Sequence, residues 1–351
     1  MKFLKSIRRR WAAWRATRLS SQQARALSLY PEQPRKKLSC IRRELYWLCS
    51  NEKRGSWENE NTILDYFNMG LDRQGEQLRH YIFRAEASAV RRRKQPPSAA
   101  LLKDKWATAT LLQLYGVATT RPLFVKSPFF SDVQALEALR ASDHTQFFVK
   151  DMDGKWGEGS FAFEKCSGGF AAEGVPLSDA ALCQRLEGCI VEPYIPQHET
   201  LQTLYPLAVA SLRIVTVRRK GKIHIILAAL FLGAGGSTTS NLHQGGLRVP
   251  IDLASGALGE KAIRLQVKRG FYTHHPDSGL PFADFTIPFW PQVLDLVSRA
   301  HQCFHRIHSI GWDVAITPSG PIIIEGNEEW GTVSFQFTNG PGRELLENFF
   351  I

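Results

Sequence analysis

The sequence predicts an α+β fold, and three patterns support this prediction. A strand, turn, strand pattern covers residues 311–327, with Pro318-Ser319-Gly320 at the turn. A strand, glycine-rich loop, strand pattern covers residues 147–163. Apolar residues recur at helical spacing from 99 to 115, and Gly116 follows them as a stop signal. Helices and antiparallel hairpins are therefore expected in one chain.

The N-terminus is strongly basic. The 351-residue chain has a formal net charge of +11, and residues 1–54 hold 15 Lys and Arg against 3 Asp and Glu. Trp and aliphatic residues recur near helical spacing among these cations, which predicts a helix lying on an anionic membrane surface. A helix packed on the protein body and a nucleic-acid contact are the alternatives, and nucleic acid is the least favoured. The apolar stripe comprises Phe3, Leu4, Ile7, Trp11, Trp14 and Leu19.

A domain boundary is expected near residue 98. The run Arg91-Arg92-Arg93-Lys94 is followed by Gln95-Pro96-Pro97-Ser98, and repelling charges before paired prolines are typical of a linker. The helical segment 99–115 follows and carries Lys103 and Lys105. Taken alone, each is interpreted as a surface lysine.

The glycine-rich loop predicts a phosphate-binding element. Lys150 ends an apolar strand, and Gly154, Gly157 and Gly159 follow before the next strand begins at Phe161. Glycines allow backbone N–H groups to approach phosphate oxygens, and Lys150 would neutralise their charge. No helix follows the loop, so the Rossmann and Walker motifs are excluded. A plain glycine-rich hairpin is the alternative.

Arg213 lies between apolar neighbours on an expected strand at 211–217. An arginine buried among strands requires an anion. A transferring phosphoryl group, a substrate carboxylate and a structural salt bridge all satisfy this requirement.

The C-terminal hairpin predicts a magnesium site. Antiparallel pairing brings Asp313 on the first strand close to Glu325 and Asn327 on the second. Residues i and i+2 of a strand face the same way, and carboxylate and amide oxygens suit Mg²⁺. An ordinary hairpin with a polar rim is the alternative.

Other patterns exclude several classes of protein. No apolar run reaches the length of a bilayer span, and charges resume too soon after Met1 for a secretory signal. The 6 cysteines form no CxxC pair, and without an export signal they are expected to be free thiols in a cytoplasmic protein. The basic N-terminus adds the expectation of peripheral contact at the inner face of the membrane. His301, His305 and His308 would share a helix face and permit zinc binding, but ordinary histidines are favoured because no Cys or acidic ligand lies close in sequence.

The hairpin sequence GWDVAITPSGPIIIEGN resembles the metal-binding hairpin of the ATP-grasp superfamily, and of its sugar-transfer-associated branch in particular. The resemblance covers roughly residues 60–351, and the order of the motifs is more specific than any one of them. The matching segments are KDKW (103–106), FFVKDMDGKWGEGSF (147–161), VEPYIPQHETLQTLYPLAVASLRIVTV (191–217), NLHQGG (241–246) and HHPDSGLPFADFTIPFW (274–290).

The resemblance implies roles for individual residues. Lys105 and Lys150 would bind the nucleotide phosphates, and Glu192 and Glu199 would lie at the adenine and at the ribose. Asn241 remains available in a motif where Ser240 replaces the aspartate that is usual in the branch. The role of His274–Gly279 is open.

The implied architecture is an ATP-grasp fold with a basic helical N-terminal extension. Its expected divisions are a basic, mainly helical region and linker at 1–98, an N-lobe with the phosphate lid at 99–190, and a C-lobe with the magnesium hairpin at 191–351.

The implied activity is that of an ATP- and Mg²⁺-dependent carboxylate–amine ligase acting through an acyl phosphate, with Arg213 and Lys150 as catalytic groups. Its partners would be ATP and small or sugar-linked carboxylates and amines in polysaccharide biosynthesis. An ATP-grasp kinase that phosphorylates a hydroxyl or sugar, and a non-catalytic membrane-associated nucleotide-binding protein, are the alternatives. The helical N-terminal region lacks the strand and helix alternation of the usual ligase substrate domain, so the acceptor stays open.

Overall fold

The computed structural model describes residues 14, 18–30, 32–51, 59–152, 159–266, 268–331 and 333–350. Within these ranges the chain forms two antiparallel sheets with helices packed on them, which confirms the predicted α+β class. The helices are α1 (Ser21–Leu27), α2 (Leu38–Ser50), α3 (Asn59–Asn68), α4 (Arg84–Lys94), α5 (Lys105–Leu114), α6 (Asp132–Ala141), α7 (Asp179–Leu186), α8 (Glu199–Leu204), α9 (Trp290–Cys303), α10 (Gln336–Asn339) and α11 (Arg343–Phe350). Short 3₁₀ turns cover Leu78–His80, Pro97–Lys103, Leu242–Gln244 and Phe282–Asp284.

The smaller sheet has six strands in the order β1-β6-β2-β3-β4-β5. Its core is built from Phe147 and Val149 on β2, Leu139 on α6 and Leu182 on α7. The alternation of buried and half-buried residues on β2 leaves one face of the strand for these helices. The strands are β1 (Phe124–Val125), β2 (Gln146–Asp151), β3 (Phe161–Cys166), β4 (Gly169–Ala172), β5 (Val175–Leu177) and β6 (Cys189–Pro193).

The larger sheet has seven strands in the order β11-β10-β9-β8-β7-β12-β13. Leu212 and Ile214 of β7 face a core that includes Leu112 of α5 and Val293 of α9. Val215 and Val217 of β7 face the opposite side. The strands are β7 (Ser211–Arg219), β8 (Lys222–Leu232), β9 (Leu247–Pro250), β10 (Ala262–Arg264), β11 (Gly270–Tyr272), β12 (Ser309–Thr317) and β13 (Gly320–Asn327).

The N-terminal helical region packs on that opposite side. Tyr66 and Phe67 of α3 share a core with Ile263 of β10. The Gln336 side chain donates to the Ile82 carbonyl (2.8 Å) and accepts from the Ile82 N–H (2.9 Å), which joins this region to the C-terminal segment. No described helix is long and apolar enough to span a membrane.

Most of the apolar stripe at 3–19 lies outside the described residues. Of its members, Trp14 is helical and exposed, and Leu19 is half-buried. The helical character expected nearby is present in α1 and α2.

Three local expectations are wrong. Arg91–Lys94 form the last turn of α4 rather than a connector, because cations are favoured at a helix C-terminus and Arg91 donates to the Trp330 carbonyl (3.2 Å). The helix expected at 99–115 starts at 105, because Asp104 accepts from the Ala107 N–H (2.9 Å) as its N-cap and 97–103 is 3₁₀.

The third error concerns the histidine stripe. Helix α9 ends at Cys303, so His305 and His308 do not continue the helical face of His301. His301 is buried, with Nδ1 2.7 Å from Thr216 Oγ1 and Nε2 2.9 Å from the Ile307 carbonyl.

Candidate functional site

The hairpin of β12 and β13 brings the three predicted metal ligands together. Asp313 is paired directly with Glu325, and Asn327 is paired with Gly311. Asn327 Nδ2 lies 3.1 Å from Glu325 Oε1 and 3.4 Å from Asp313 Oδ2. Antiparallel register and the i, i+2 rule thus place all three oxygen donors at one end of the hairpin.

The two carboxylates interact strongly. Burial raises the pKa of Asp313 to about 7; Arg213 opposes this shift, and the negative charge of Glu325 adds to it. Burial also favours neutral Glu325, but hydrogen bonding with Asp313 and the cations Lys150 and Arg213 outweigh it and hold the pKa of Glu325 below its ordinary value. The pair therefore carries less negative charge than two free carboxylates would.

This donor set fits Mg²⁺. A divalent cation between the carboxylates would neutralise the repulsion between their negative charges. Among the described residues, no group of three His, Cys, Asp or Glu is arranged to hold a metal. Mg²⁺ does not need one, since it is commonly held by one or two carboxylates together with substrate phosphates and water.

Arg213 extends this charged row to the next strand. It is paired with Asp313 across β7 and β12, and its guanidinium donates two hydrogen bonds to that carboxylate, with Nη2 2.9 Å from Oδ2. Burial lowers the pKa of Arg213, but the charge and hydrogen bonds of Asp313 outweigh this and raise it. Arg213 therefore stays charged and holds Asp313 in place. Of the three anions considered for Arg213 from the sequence, this contact corresponds to the structural salt bridge.

Lys150 lies on β2 of the smaller sheet and faces the hairpin. Its Nζ donates to Glu192 Oε2 (2.5 Å), and Thr120 Oγ1 donates to the other carboxylate oxygen (2.9 Å). Glu192 is buried and Lys150 is largely buried. In this structure the Glu192 side chain orients Lys150.

Lys105 joins the two sides of the site. It is the first residue of α5, and its Nζ donates to the carbonyls of Asp151 (2.5 Å) and Met152 (3.3 Å), where the glycine-rich loop begins. Burial lowers the pKa of Lys105, and the charges of Glu325 and Lys150 also act on it. Lys105, Lys150 and Glu325 thus border the same space.

The remaining predicted residues are placed less completely. Gly154 and Gly157 lie outside the described residues; Gly159 has φ +71°, a conformation suited to glycine. Glu199 is exposed at the start of α8. The Asn241 carbonyl accepts from the Gln244 and Gly246 N–H groups (3.1 and 3.0 Å) and closes a turn at 241–246.

The motif at 274–279 has a visible structural role. The buried His275 ring has Nε2 2.9 Å from the Gly233 carbonyl, and burial lowers its pKa, so it donates as a neutral ring. Asp277 Oδ2 accepts from the Gly235 N–H (2.8 Å). The motif therefore holds the loop that follows β8.

Sequence reasoning missed two residues at the site. Thr120 bonds to Glu192 from a position 72 residues away, and no local signal identifies it. Asp104 before an apolar-periodic segment is an N-cap signal that would have placed Lys105 at the helix start.

Comparison with known proteins identifies a family. The model of the sugar-transfer-associated ATP-grasp family matches residues 85–349, which is most of the chain. No curated protein matches at a significant level.

Solved structures similar in fold include the VanG D-Ala:D-Ser ligase from Enterococcus faecalis (12% identity, TM-score 0.44, covering 72% of this chain and 62% of that one). The N5-carboxyaminoimidazole synthetase from Staphylococcus aureus complexed with ADP is another (13%, 0.42, 68% and 48%). An L-amino acid ligase from Bacillus licheniformis is a third (13%, 0.38, 67% and 42%). The chain spans about half the length of these proteins, and at such scores the likeness carries no inference about activity.

The matched range also contains the residues of the site. It includes Lys105, Lys150, Arg213 and both strands of the C-terminal hairpin. The chain therefore belongs to the sugar-transfer-associated ATP-grasp family, the cofactors of which are ATP and Mg²⁺.

Proposed function

We propose that this protein is an ATP- and Mg²⁺-dependent ligase that joins a carboxylate to an amine through an acyl phosphate. One observation carries the proposal: Lys105 at the start of α5 donates to the Asp151 carbonyl at the end of β2 (2.5 Å), and both Lys105 and Lys150 of β2 interact electrostatically with Glu325 of the metal hairpin. ATP would lie there, between an N-lobe at 99–190 and a C-lobe at 191–351.

The charged and polar residues would have different roles at the nucleotide phosphates. Lys105 and Lys150 would hold the phosphates, with the N–H groups of the loop containing Gly154, Gly157 and Gly159 closing over them. When bound at Asp313, Glu325 and Asn327, Mg²⁺ would neutralise phosphate charge and polarise the phosphoryl group. Such a site works by positioning and charge neutralisation, so it needs no Ser or Cys nucleophile.

Nucleotide recognition would involve the hinge after β6. Both carboxylate oxygens of Glu192 accept hydrogen bonds, from Lys150 and from Thr120. Glu192 would therefore act on the adenine indirectly, by positioning the Lys150 ammonium, or through its backbone atoms. Glu199 is exposed and free to turn toward a ribose. Asn241 would contribute from its loop.

The proposed ligase reaction consists of two displacement steps. A substrate carboxylate oxygen forms a bond to the γ-phosphorus while the bond to the bridging oxygen breaks and ADP leaves. The amine nitrogen then forms a bond to the acyl carbon and loses a proton, and phosphate leaves with the substrate oxygen. Arg213, fixed by Asp313, would stabilise the charge on the transferring group.

Isotope transfer tests the reaction. With a carboxylate substrate labelled with ¹⁸O, one labelled atom should appear in the released phosphate. Candidate acids and amines are chosen from a metabolite screen with ATP, guided by the neighbouring genes. Phosphorylated alcohol or sugar that accumulates without amide, in a reaction that Lys150→Ala abolishes, would establish the kinase alternative.

The family description favours a substrate linked to sugars, and the expected setting is cell-surface polysaccharide synthesis in the cytoplasm. Retention of Asp313, Glu325 and Asn327 in bonding geometry argues against a non-catalytic nucleotide-binding protein, since loss of catalysis removes the demand for a metal.

A peripheral contact with an anionic membrane is a second proposal, and the outer face of α2 supports it. Tyr46 and Trp47 are 50% and 43% exposed beside the exposed Arg43. Aromatic and cationic side chains together suit a lipid headgroup region. Flotation of the full chain with anionic vesicles should fall with salt and in Arg43→Glu, but not in Phe129→Ser, which removes a 97% exposed aromatic on the smaller lobe. Equal flotation of all three proteins would refute the contact.

A further inference from the structure

Arg248 on β9 is a fully buried cation without an acidic partner among the described residues. Its Nη1 donates to the Ser334 carbonyl, and its Nη2 donates to Thr338 Oγ1 (2.7 Å) and Asn339 Oδ1 (3.4 Å). Its Nε is buried without a hydrogen-bond partner there. All three acceptors are neutral, so they accept hydrogen bonds from the guanidinium without neutralising its positive charge.

Arg248 lies on the same sheet face as the proposed phosphoryl site. Arg213 is paired with Asp313 on one side and with Ala229 on the other. Phe231 is two residues beyond Ala229 and is paired with Arg248. Paired residues, and residues two apart on a strand, share a face, so one charged row runs from the carboxylate pair through Arg213 to Arg248.

No described carboxylate compensates the charge of Arg248, and its guanidinium lies over the Phe335 ring with Cζ 4.6 Å from the ring centroid, a cation–π contact. Burial, together with the positive charge of Arg213, lowers the pKa of Arg248 to about 9. The group is still cationic at neutral pH. Burial of an unpaired charge is costly, so an anion that reached this arginine would bind favourably.

On the Nη2 side of the guanidinium, one hydrogen-bond acceptor belongs to an exposed residue. Asn339 is exposed, and its bond to Arg248 is the longest of the three. Thr338 beside it is half-buried. When the Asn339 side chain turns toward solvent, an anion can take its place and keep the Thr338 hydroxyl as a neighbour.

We propose that Arg248 binds a second, non-reacting carboxylate of the acceptor substrate. Arg213 and Arg248 lie two strands apart, which is about 10 Å at the usual strand spacing. The substrate class is therefore a dianion whose reacting carboxylate lies near Arg213 and whose second carboxylate lies about 10 Å away. This assignment rests on the proposed ligase function, but its test does not require turnover.

The test measures binding of a probe anion to the full-length protein. With the nucleotide site saturated by Mg·AMPPNP, acetate is titrated at constant ionic strength and thermal unfolding is followed. The wild-type Tm should rise by about 2 °C or more at ten times the apparent Kd. In Arg248→Gln the rise should be lost, and without acetate this variant should be as stable as the wild type, because an unpaired buried charge has been removed.

The matched control is Arg269→Gln. Arg269 is half-buried, and like Arg248 it donates to neutral acceptors, the Leu27 carbonyl (2.6 Å) and Asn68 Oδ1 (2.5 Å). Its replacement should lower stability and leave the acetate response intact. If Arg248→Gln behaves in the same way, Arg248 is only structural and the proposal is overturned.

A second variant keeps the arginine and removes the competing acceptor. Asn339→Ala should lower the acetate midpoint by about threefold, and an unchanged midpoint would count against the proposed route. A response to phosphate with none to acetate would overturn the carboxylate assignment. Failure of the isotope-transfer test with acetate binding intact would refute the ligase reaction and leave this anion site standing.

Discussion

The buried ion pair between Lys150 and Glu192 provides a quantitative test of the smaller lobe. Lys150→Met leaves Glu192 buried with only the Thr120 hydroxyl, and Glu192→Gln turns an amide toward the ammonium group. Loss of one partner of a buried pair costs about 3–5 kcal/mol. Because Lys150 retains some contact with solvent, about 2–4 kcal/mol is expected for each single variant.

The double variant separates the pair from its surroundings. Lys150→Met with Glu192→Gln removes both charges, so its loss of stability should be smaller than the sum of the single losses by at least about 1.5 kcal/mol. Urea unfolding of the four proteins measures this coupling. Thr120→Val is the matched control, since it removes one hydrogen bond to Glu192 and keeps the ion pair, at a cost of about 1 kcal/mol.

Nucleotide binding gives the second measurement on the same variants. Lys150→Met should weaken Mg·ATP binding at least tenfold, because a charge-assisted contact to phosphate contributes about 1.5–3 kcal/mol. Additive stability losses together with unchanged Mg·ATP affinity would refute both the energetic and the functional account of Lys150.

Two further predictions concern the larger sheet. His301 is buried as a neutral ring, and burial lowers its pKa to about 4. The free energy of unfolding should therefore be unaffected above about pH 7.5 and should fall between pH 6.5 and 4, by up to about 3 kcal/mol. His301→Gln should flatten this part of the pH profile, and an identical profile would exclude His301 as its cause. Gly246→Ala should cost about 2–4 kcal/mol, because its new Cβ would lie 2.7 Å from the Leu232 carbonyl oxygen and 2.8 Å from that of Asn241, whereas Gly168→Ala meets no atom within 4 Å and should change the free energy of unfolding little; equal losses in urea would contradict the close-approach argument.

The elements that sequence predicted best are those whose signals are local. The hairpin of β12 and β13 combines apolar runs, a turn and polar residues two apart, and these features predicted its antiparallel pairing, although not the register shift between Asp313 and Val314. Strand β2 with Lys150 at its end, and strand β7 with Arg213, were likewise predicted from short apolar runs.

The errors arose where a local pattern competed with an unseen partner. The charged run at 91–94 is helical because the C-terminal turn of α4 and the Trp330 carbonyl favour cations, and Trp330 is far away in sequence. Helical spacing at 301–308 was misleading because α9 ends at Cys303. Thr120 and Arg248 could not have been selected at all, since their significance comes from Glu192 and Arg213 on other strands.

The central claim is that the C-terminal hairpin holds the Mg²⁺ that accompanies ATP, and calorimetry of ATP binding with and without Mg²⁺ tests it most directly. The matched control is Glu328→Gln, which lies next to the set but pairs with Lys103 (2.8 Å). Mg²⁺ should strengthen ATP binding to the wild type and to this control, and the strengthening should fall at least tenfold in Glu325→Gln and Asn327→Ala. Equal Mg²⁺ dependence in all four proteins would contradict the account.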